Sequence, residues 1–257
     1  MTTVIERASK SLDLSVLPMF SGFRQWRGTC EKHGEQVISV PPSVKSWVCP
    51  VCVSQKAAKT LPVEWLEERA KALMTVSHLP EKYVGQKFVA TSDEQRRARQ
   101  AAKLFYDQVT QKKVWASLNL VGETGTGKTL LACEVMQRLI VGAGMSCRYA
   151  TSMGILSEIK ESYGTEGKTE NGEIQRFADF DLLIIDEIDQ IRGSDTDRLL
   201  LQEVVNRRYN AKKPVLTISN LSFESFGKAV GARIASRLSE NGTVVLFDWA
   251  DQRRIAA

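Results

Sequence analysis

Long apolar runs are missing from this chain: nowhere in its 257 residues do the roughly 18 consecutive apolar residues of a membrane span occur. The opening MTTVIERASKSLDLS lacks a basic-then-apolar signal pattern, so a cytoplasmic chain with no membrane attachment is expected. Histidine is scarce, at 2, and the 5 cysteines, at 30, 49, 52, 133 and 147, form an odd, clustered set. Without a secretion signal, that count argues against a disulfide framework and for metal binding. No internal repeat is present, and no NKxD-type guanine motif. Neither sign of charge dominates: 35 Lys and Arg against 30 Asp and Glu leave +5, which permits a polyanionic partner without demanding one. With 43% apolar and 25% charged residues, the composition is that of an ordinary globular protein with room for one α/β core and a small appendage.

What is present is GETGTGKT at 122–129, a complete phosphate-loop pattern. A loop with so little side chain wraps its backbone N–H groups around phosphate oxygens. The run Gly122, Glu123, Thr124, Gly125, Thr126, Gly127, Lys128, Thr129 and Leu130 is therefore the expected nucleotide cradle. Lys128 would reach the β- and γ-phosphates, the Thr129 hydroxyl would ligate Mg2+, and the following helix would turn its positive end to the anion. Context agrees, because WASLNLVG (115–122) reads as a strand and LLACEVMQRLI (130–140) has helical spacing.

LLIIDE at 182–187 reads as a buried parallel strand delivering carboxylates at its C-terminal end, where α/β sheets bind ligands. Asp186 would hold Mg2+ through water, and Glu187 would polarise the attacking water. The two strings together mark an ATPase using ATP and Mg2+.

Cys30-Glu-Lys-His33 and Cys49-Pro-Val-Cys52 are two knuckles with the layout of a structural zinc ribbon. Two-residue spacers let each pair converge on one ion, and Gly34 and Pro50 suit tight turns. A catalytic zinc is not expected, since four protein ligands leave no open position. His78 has no partner at ligand spacing, and Cys133 and Cys147 read as small core residues.

Along the chain, three parts are expected: an N-terminal segment with zinc ribbon over 1–58, a helical linker over 59–90, and an ATPase domain over 91–257. The apolar stretch LSVLPMFSGFRQW (14–26) reads as packing on the ribbon or as a docking segment. Helices are expected over 61–74, over 92–109 with a Ser92/Gln95 capping box and an arginine-rich face, and over 154–164, 196–210 and 231–240. A polar loop is expected at 164–173, and strands at 145–151, 214–220 and 243–249. This alternation predicts a three-layer parallel α/β sandwich.

Asn220, at the tip of the strand PVLTISN, is placed to touch the γ-phosphate or its water. Arg233 and Arg237 lie on one helix face and Arg253 follows the last strand, far in sequence from the phosphate loop, as suits residues that serve a neighbouring subunit's nucleotide.

The strings GETGTGKT, FDLLIIDEID, NRRY…KKP, TISN, GARIASRL and FDWADQR together resemble the DnaC-type bacterial helicase loaders of the AAA+ class, across roughly residues 75 to 255. The resemblance implies a P-loop AAA+ domain without a C-terminal lid; the zinc ribbon read from Cys30, His33, Cys49 and Cys52 precedes it and departs from the DnaC pattern, whose helicase-binding segment is helical and has no zinc knuckles. The resemblance implies that Asn220 is the sensor 1 residue, Arg237 the arginine finger with Arg233 as its alternate, and Arg253 a sensor 2 arginine. It further implies a nucleotide-controlled partner of the hexameric replicative helicase that places that ring on single-stranded DNA and self-assembles with nucleotide and DNA. Lys160, Tyr163 and Lys168 fall where such ATPases carry DNA contacts. The zinc-bearing front end is more similar to the DnaI-type loaders. The rivals are an IstB-like transposition helper acting on duplex DNA, a small-molecule kinase or GTPase, and a zinc-ribbon adaptor with a vestigial ATPase.

Overall fold

The computed structural model describes residues 24–40, 48–49, 51–52, 63–111, 115–191 and 195–252. Arg253 and the apolar N-terminal stretch up to Phe23 lie outside the described residues. The chain divides into two compact units, residues 1–68 and 69–257.

In the smaller unit, β1 (Arg24–Cys30) and β2 (Gly34–Val40) form an antiparallel hairpin whose last pair is Cys30 with Gly34. The turn between them closes with the His33 N–H donating to the Cys30 carbonyl at 3.3 Å. Gly34, at φ 68°, supplies the left-handed residue that returns the chain into β2. Cys30 and His33 thereby flank one tight turn. The helix α1 spans Val63–Val76.

In the larger unit α2 (Asp93–Gln111) precedes β3 (Ser117–Gly122). The chain continues through α3 (Lys128–Ala143), β4 (Cys147–Thr151), α4 (Ser152–Lys160), α5 (Glu170–Asp179) and β5 (Leu182–Asp186). It closes with α6 (Asp195–Asn210), β6 (Val215–Ser219), α7 (Phe223–Val230), α8 (Ala232–Ser239) and β7 (Gly242–Phe247). The sheet has 5 strands in the order β4-β5-β6-β3-β7, and every pairing is parallel. Successive strand residues face opposite layers. Leu118, Leu120, Ile184, Leu216 and Ile218 pack with α2 and α3, whereas Val121, Leu183, Ile185 and Val215 pack with α4 to α8. Both faces are covered, so β3, β5 and β6 are buried along their whole length. This is a three-layer α/β sandwich around a parallel sheet.

Local chemistry explains where the elements begin. The capping box forms at α2, with Gln95 N–H donating to Ser92 Oγ at 3.3 Å and Ser92 N–H to Gln95 Oε1 at 3.2 Å. Arg96, Arg97, Arg99 and Lys103 are exposed on that helix. Where a polar loop was expected to reach residue 173, α5 starts at Glu170. Thr169 caps it by accepting from Gly172 N–H at 3.0 Å, and Glu170 and Glu173 favour its positive end. Only from Ile174 does the apolar spacing appear, with Ile174, Phe177 and Ala178 buried. The expected helix over 231–240 is preceded by α7, and Gly231, at φ 87°, separates the two.

One arginine fastens several of these elements. Arg208 on α6 is fully buried and donates to the carbonyls of Phe177 (2.9 Å), Ala178 (3.1 Å), Phe180 (2.7 Å) and Pro214 (2.7 Å). It thus caps the negative end of α5 and ties it to the entries of β5 and β6. Burial pulls its guanidinium down to about 9, opposed by Asp181, so it stays charged at neutral pH. Its neighbour Arg207 faces outward, holding Glu203, Asn171 and Gln175.

Candidate nucleotide site

The phosphate loop leaves β3 at Gly122, whose φ of 132° is closed to other residues and whose missing Cβ would collide with the Phe247 carbonyl. Gly125, at φ 79°, meets the Asp251 carboxylate where a side chain would sit. The segment after β7 therefore lies directly on the loop. Trp249 Nε1 donates to the Thr126 carbonyl at 2.9 Å, and Gln252 N–H donates to the Gly125 carbonyl at 3.0 Å. Phe247, Trp249 and Phe88 pack together beside it, with ring centroids 4.5 Å apart for the first pair and 6.4 Å for Phe88 and Trp249. Sequence reasoning took FDWADQR only as a family mark; its clamp on the loop joins residues more than 120 positions apart, which no local pattern reveals.

Beyond the loop, α3 opens at Lys128, so the first N–H groups of that helix face the cradle without helical partners. Lys128 is buried, and its ammonium donates to the Gly122 carbonyl at 2.8 Å and the Glu123 carbonyl at 2.5 Å. Both are neutral acceptors, which an anionic phosphate oxygen outcompetes.

Thr129 Oγ1 donates to Asp186 Oδ2 at 3.2 Å, joining the loop to the end of β5. Asp186 is buried and accepts two further bonds, from the Tyr149 hydroxyl at 2.5 Å and from the Glu187 N–H at 2.8 Å. Burial and the Asp186 charge push the Tyr149 phenol upward, so it remains a donor. Tyr149 was missed in the sequence. Its signal is the register of β4, where it pairs with Ile184, two residues before Asp186.

Glu187 is exposed and holds φ 50°, a left-handed conformation that costs a non-glycine residue about 1–3 kcal/mol. Its surroundings enforce it: Ser152 Oγ donates to its carbonyl at 2.7 Å, and the next N–H, of Ile188, donates to Ile218 at 3.1 Å on β6. The strand is thus turned at Glu187, leaving its carboxylate accessible beside a buried Asp186. Asn220 follows β6, the strand between β3 and β5. Since Val121 pairs with Ser219, Asn220 stands level with Gly122. The loop, Asp186, Glu187 and Asn220 converge at one edge of the sheet.

Arg237 does not join them, and Arg233 is exposed one turn earlier on its helix. The end of α8 is pinned to the opposite end of β3, with Ser117 Oγ donating to the Leu238 carbonyl at 2.5 Å and Trp115 Nε1 to the Arg237 carbonyl at 3.0 Å. Asn119 Nδ2 adds a bond to Leu238 at 3.2 Å. From Ser117 to Gly122 the strand runs roughly 16 Å, more than an arginine side chain spans.

Lys160 ends α4 and pairs with buried Asp197 at 2.5 Å. Tyr163 is exposed with its hydroxyl on Glu170, and Lys168 is exposed before α5. His78 is exposed at φ 53°, and Cys133 and Cys147 are buried thiols, as the core reading expects.

In the smaller unit, the ligand atoms of Cys30, His33, Cys49 and Cys52 all lie within 4.8 Å of one another. A tetrahedral zinc with Zn–S of about 2.3 Å and Zn–N of about 2.0 Å requires S···S near ~3.8 Å and S···N near ~3.5 Å. Cys30 and Cys52 sulfurs are 3.7 Å apart, and His33 Nδ1 is 3.6, 3.6 and 3.4 Å from Cys30, Cys49 and Cys52. The donor set fits the ion. The Lys32 backbone N–H draws the Cys30 thiol down to about 6, while burial and the neighbouring Cys30 and Cys49 sulfurs push Cys52 up to about 11, so the geometry rather than the thiol balance carries the fit.

Comparison with known proteins agrees with this geometry. A replicative helicase loader, DnaC of Escherichia coli (strain K12), is 30% identical over 139 residues, covering 54% of this chain and 56% of that protein. A DnaC of Buchnera aphidicola subsp. Schizaphis graminum is 29% identical over 164 residues, 63% of this chain and 65% of its own. The matches thus span between half and two thirds of these relatives. A crystal structure of the DnaC helicase loader superposes with a TM-score of 0.58 at 18% identity, covering 65% of this chain and 99% of that one, which shows the shared fold. The family model for IstB-like ATP binding protein matches residues 65–238, and the chain belongs to that family.

Proposed function

We propose that this protein is an ATP-dependent loader that binds the hexameric replicative helicase and places it on single-stranded DNA. The observation that carries the reading is the match to DnaC loaders through a chain whose phosphate loop, Asp186, Glu187 and Asn220 converge on one sheet edge. The N–H groups from Glu123 to Leu130 would cradle ATP phosphates, with Lys128 leaving the Gly122 and Glu123 carbonyls for the β- and γ-phosphates. Magnesium, held by Thr129 and Asp186, would neutralise charge developing in phosphoryl transfer. Glu187 would accept the proton of the attacking water, and Asn220 would orient that water. Arg253 is proposed as the sensor 2 cation.

Arg237 would act on a neighbouring copy's nucleotide, with Arg233 as alternate, because the Arg237 end of α8 is fastened at the far end of β3, roughly 16 Å along that strand from Gly122. ATP-driven self-assembly along DNA follows from that requirement. Lys160, Tyr163 and Lys168 would contact the strand by phosphate pairing and stacking; Lys160 would exchange its Asp197 partner for phosphate. Residues 1–58 would form the zinc-closed docking module, 59–90 the linker and 91–257 the motor. Zinc would be structural there, fixing the hairpin turn through Cys30, His33, Cys49 and Cys52.

The match to the IstB-like ATP binding family leaves a second reading, an IstB-like transposition helper acting on duplex DNA. ATP turnover with single-stranded and duplex oligonucleotides tests the two. The loader reading expects preferential stimulation by single strands, lost in Lys128→Ala; preferential stimulation by duplex overturns it. No turnover under either condition would leave the adaptor reading.

A further inference from the structure

The string NRRY, which closes α6, holds the arginine assigned above to the neighbouring active site. Arg237 Nε donates to Asn206 Oδ1, and its guanidinium lies over the Tyr209 ring with its carbon 4.3 Å from the centroid. Tyr209 is itself fixed. Its ring meets Trp115 edge-on at 5.2 Å and 71°, and its hydroxyl donates to Glu240 Oε2 at 2.5 Å. Trp115 in turn donates to the Arg237 carbonyl at 3.0 Å, closing a loop that fixes both backbone and side chain of the arginine. Arg237 is partly exposed and makes no ion pair among the described residues; the nearby Glu240 carboxylate is taken up by the Tyr209 hydroxyl instead.

We propose that Asn206 and Tyr209 are positioning residues for Arg237, orienting its guanidinium on the subunit surface so that it meets the neighbouring copy's γ-phosphate already aligned. Both partners suit the task. A neutral amide oxygen fixes Nε without cancelling the charge, and an aromatic face restrains the plane while leaving the edge available. A carboxylate at either place would neutralise the cation. The same turn of α6 carries Arg208, whose bonds to Phe177, Ala178, Phe180 and Pro214 hold it rigidly against the sheet. The platform therefore cannot drift with the surface helix. A misplacement of about 1 Å in such a group can cost roughly 100-fold in rate.

This inference rests on Arg237 acting between subunits, and a mixing experiment separates the two claims. The Arg237→Ala chain retains its own ATP site and lacks the donor. The Glu187→Gln chain retains the donor and lacks turnover. Mixed with ATP and single-stranded DNA, they should hydrolyse ATP at a rate neither reaches alone; no restoration, with Arg237→Ala alone as active as wild type, sinks the intersubunit reading itself. The donor is then changed to Glu187→Gln carrying Tyr209→Leu or Asn206→Leu. Restored kcat should fall roughly tenfold or more with KM for ATP little changed, while Tyr209→Phe, which keeps the ring, should restore most of it. If the Tyr209→Leu and Asn206→Leu donors complement as well as the parent, the positioning role is wrong. The same holds if Tyr209→Phe fails as badly as Tyr209→Leu, since a ring-independent loss marks general disruption.

Discussion

Replacing Arg208 by Met keeps an aliphatic stem of similar length and deletes the donors that satisfy the carbonyls of Phe177, Ala178, Phe180 and Pro214. Each buried acceptor left without a partner costs about 1–3 kcal/mol. Part of that is recovered because a buried guanidinium no longer has to be desolvated, so the expected net loss is roughly 3–5 kcal/mol, typical of breaking one side of a buried charged network. For a domain of this size about 1 kcal/mol moves the melting temperature by roughly 2–4 °C, which puts the shift near ~6–20 °C. Arg207, the next residue, is the internal control. Its bonds to Asn171, Gln175 and Glu203 lie at the surface, and Arg207→Met should lose no more than ~1 kcal/mol. Thermal and urea denaturation followed by circular dichroism on both variants reads the difference. Equal melting of the two variants, or an Arg208→Met protein within about 2 °C of wild type, would refute the assignment of Arg208 as the fastener of α5, β5 and β6.

Other predictions follow from the site. Glu187→Gln should bind ATP with wild-type affinity and turn it over at least ~100-fold more slowly, whereas Lys128→Ala should lose binding; equilibrium titration and phosphate release separate the two. Trp249→Phe removes the bond to the Thr126 carbonyl, and the loss of about 1 kcal/mol should weaken ATP binding roughly fivefold. Unchanged affinity would mean that the post-β7 clamp does not shape the loop. Elemental analysis should find about one zinc per chain, lost in Cys49→Ser, with protease sensitivity rising in the β1–β2 hairpin. Metal-free protein with an equally protected hairpin would contradict the zinc assignment.

Much of the ATP-binding domain was legible in the chain because its signals are local. GETGTGKT sits between an apolar strand and a helix with helical spacing, and LLIIDE is a buried strand ending in acids. Parallel β3 and β5 put both strings at one sheet edge. Elements escaped where the signal is weak or distant. The start of α5 at Glu170 is written in a Thr169 cap and helix-end charges before any apolar residue appears. Arg207 and Arg208 are identical letters one position apart, and only the packing of α6 decides which is buried. Tyr149 reaches Asp186 through the register of neighbouring strands. The partners that Lys160 and Tyr163 hold here, Asp197 and Glu170, lie 37 and 7 positions away and are not disclosed by exposure patterns alone.

The most direct test of the loader account is co-elution. The protein is mixed with the hexameric replicative helicase of its host and passed over a sizing column with and without ATP and single-stranded DNA. The account predicts a complex that depends on residues 1–58 and responds to nucleotide. Separate elution under every condition, with ATP turnover that answers to duplex DNA instead, would contradict it.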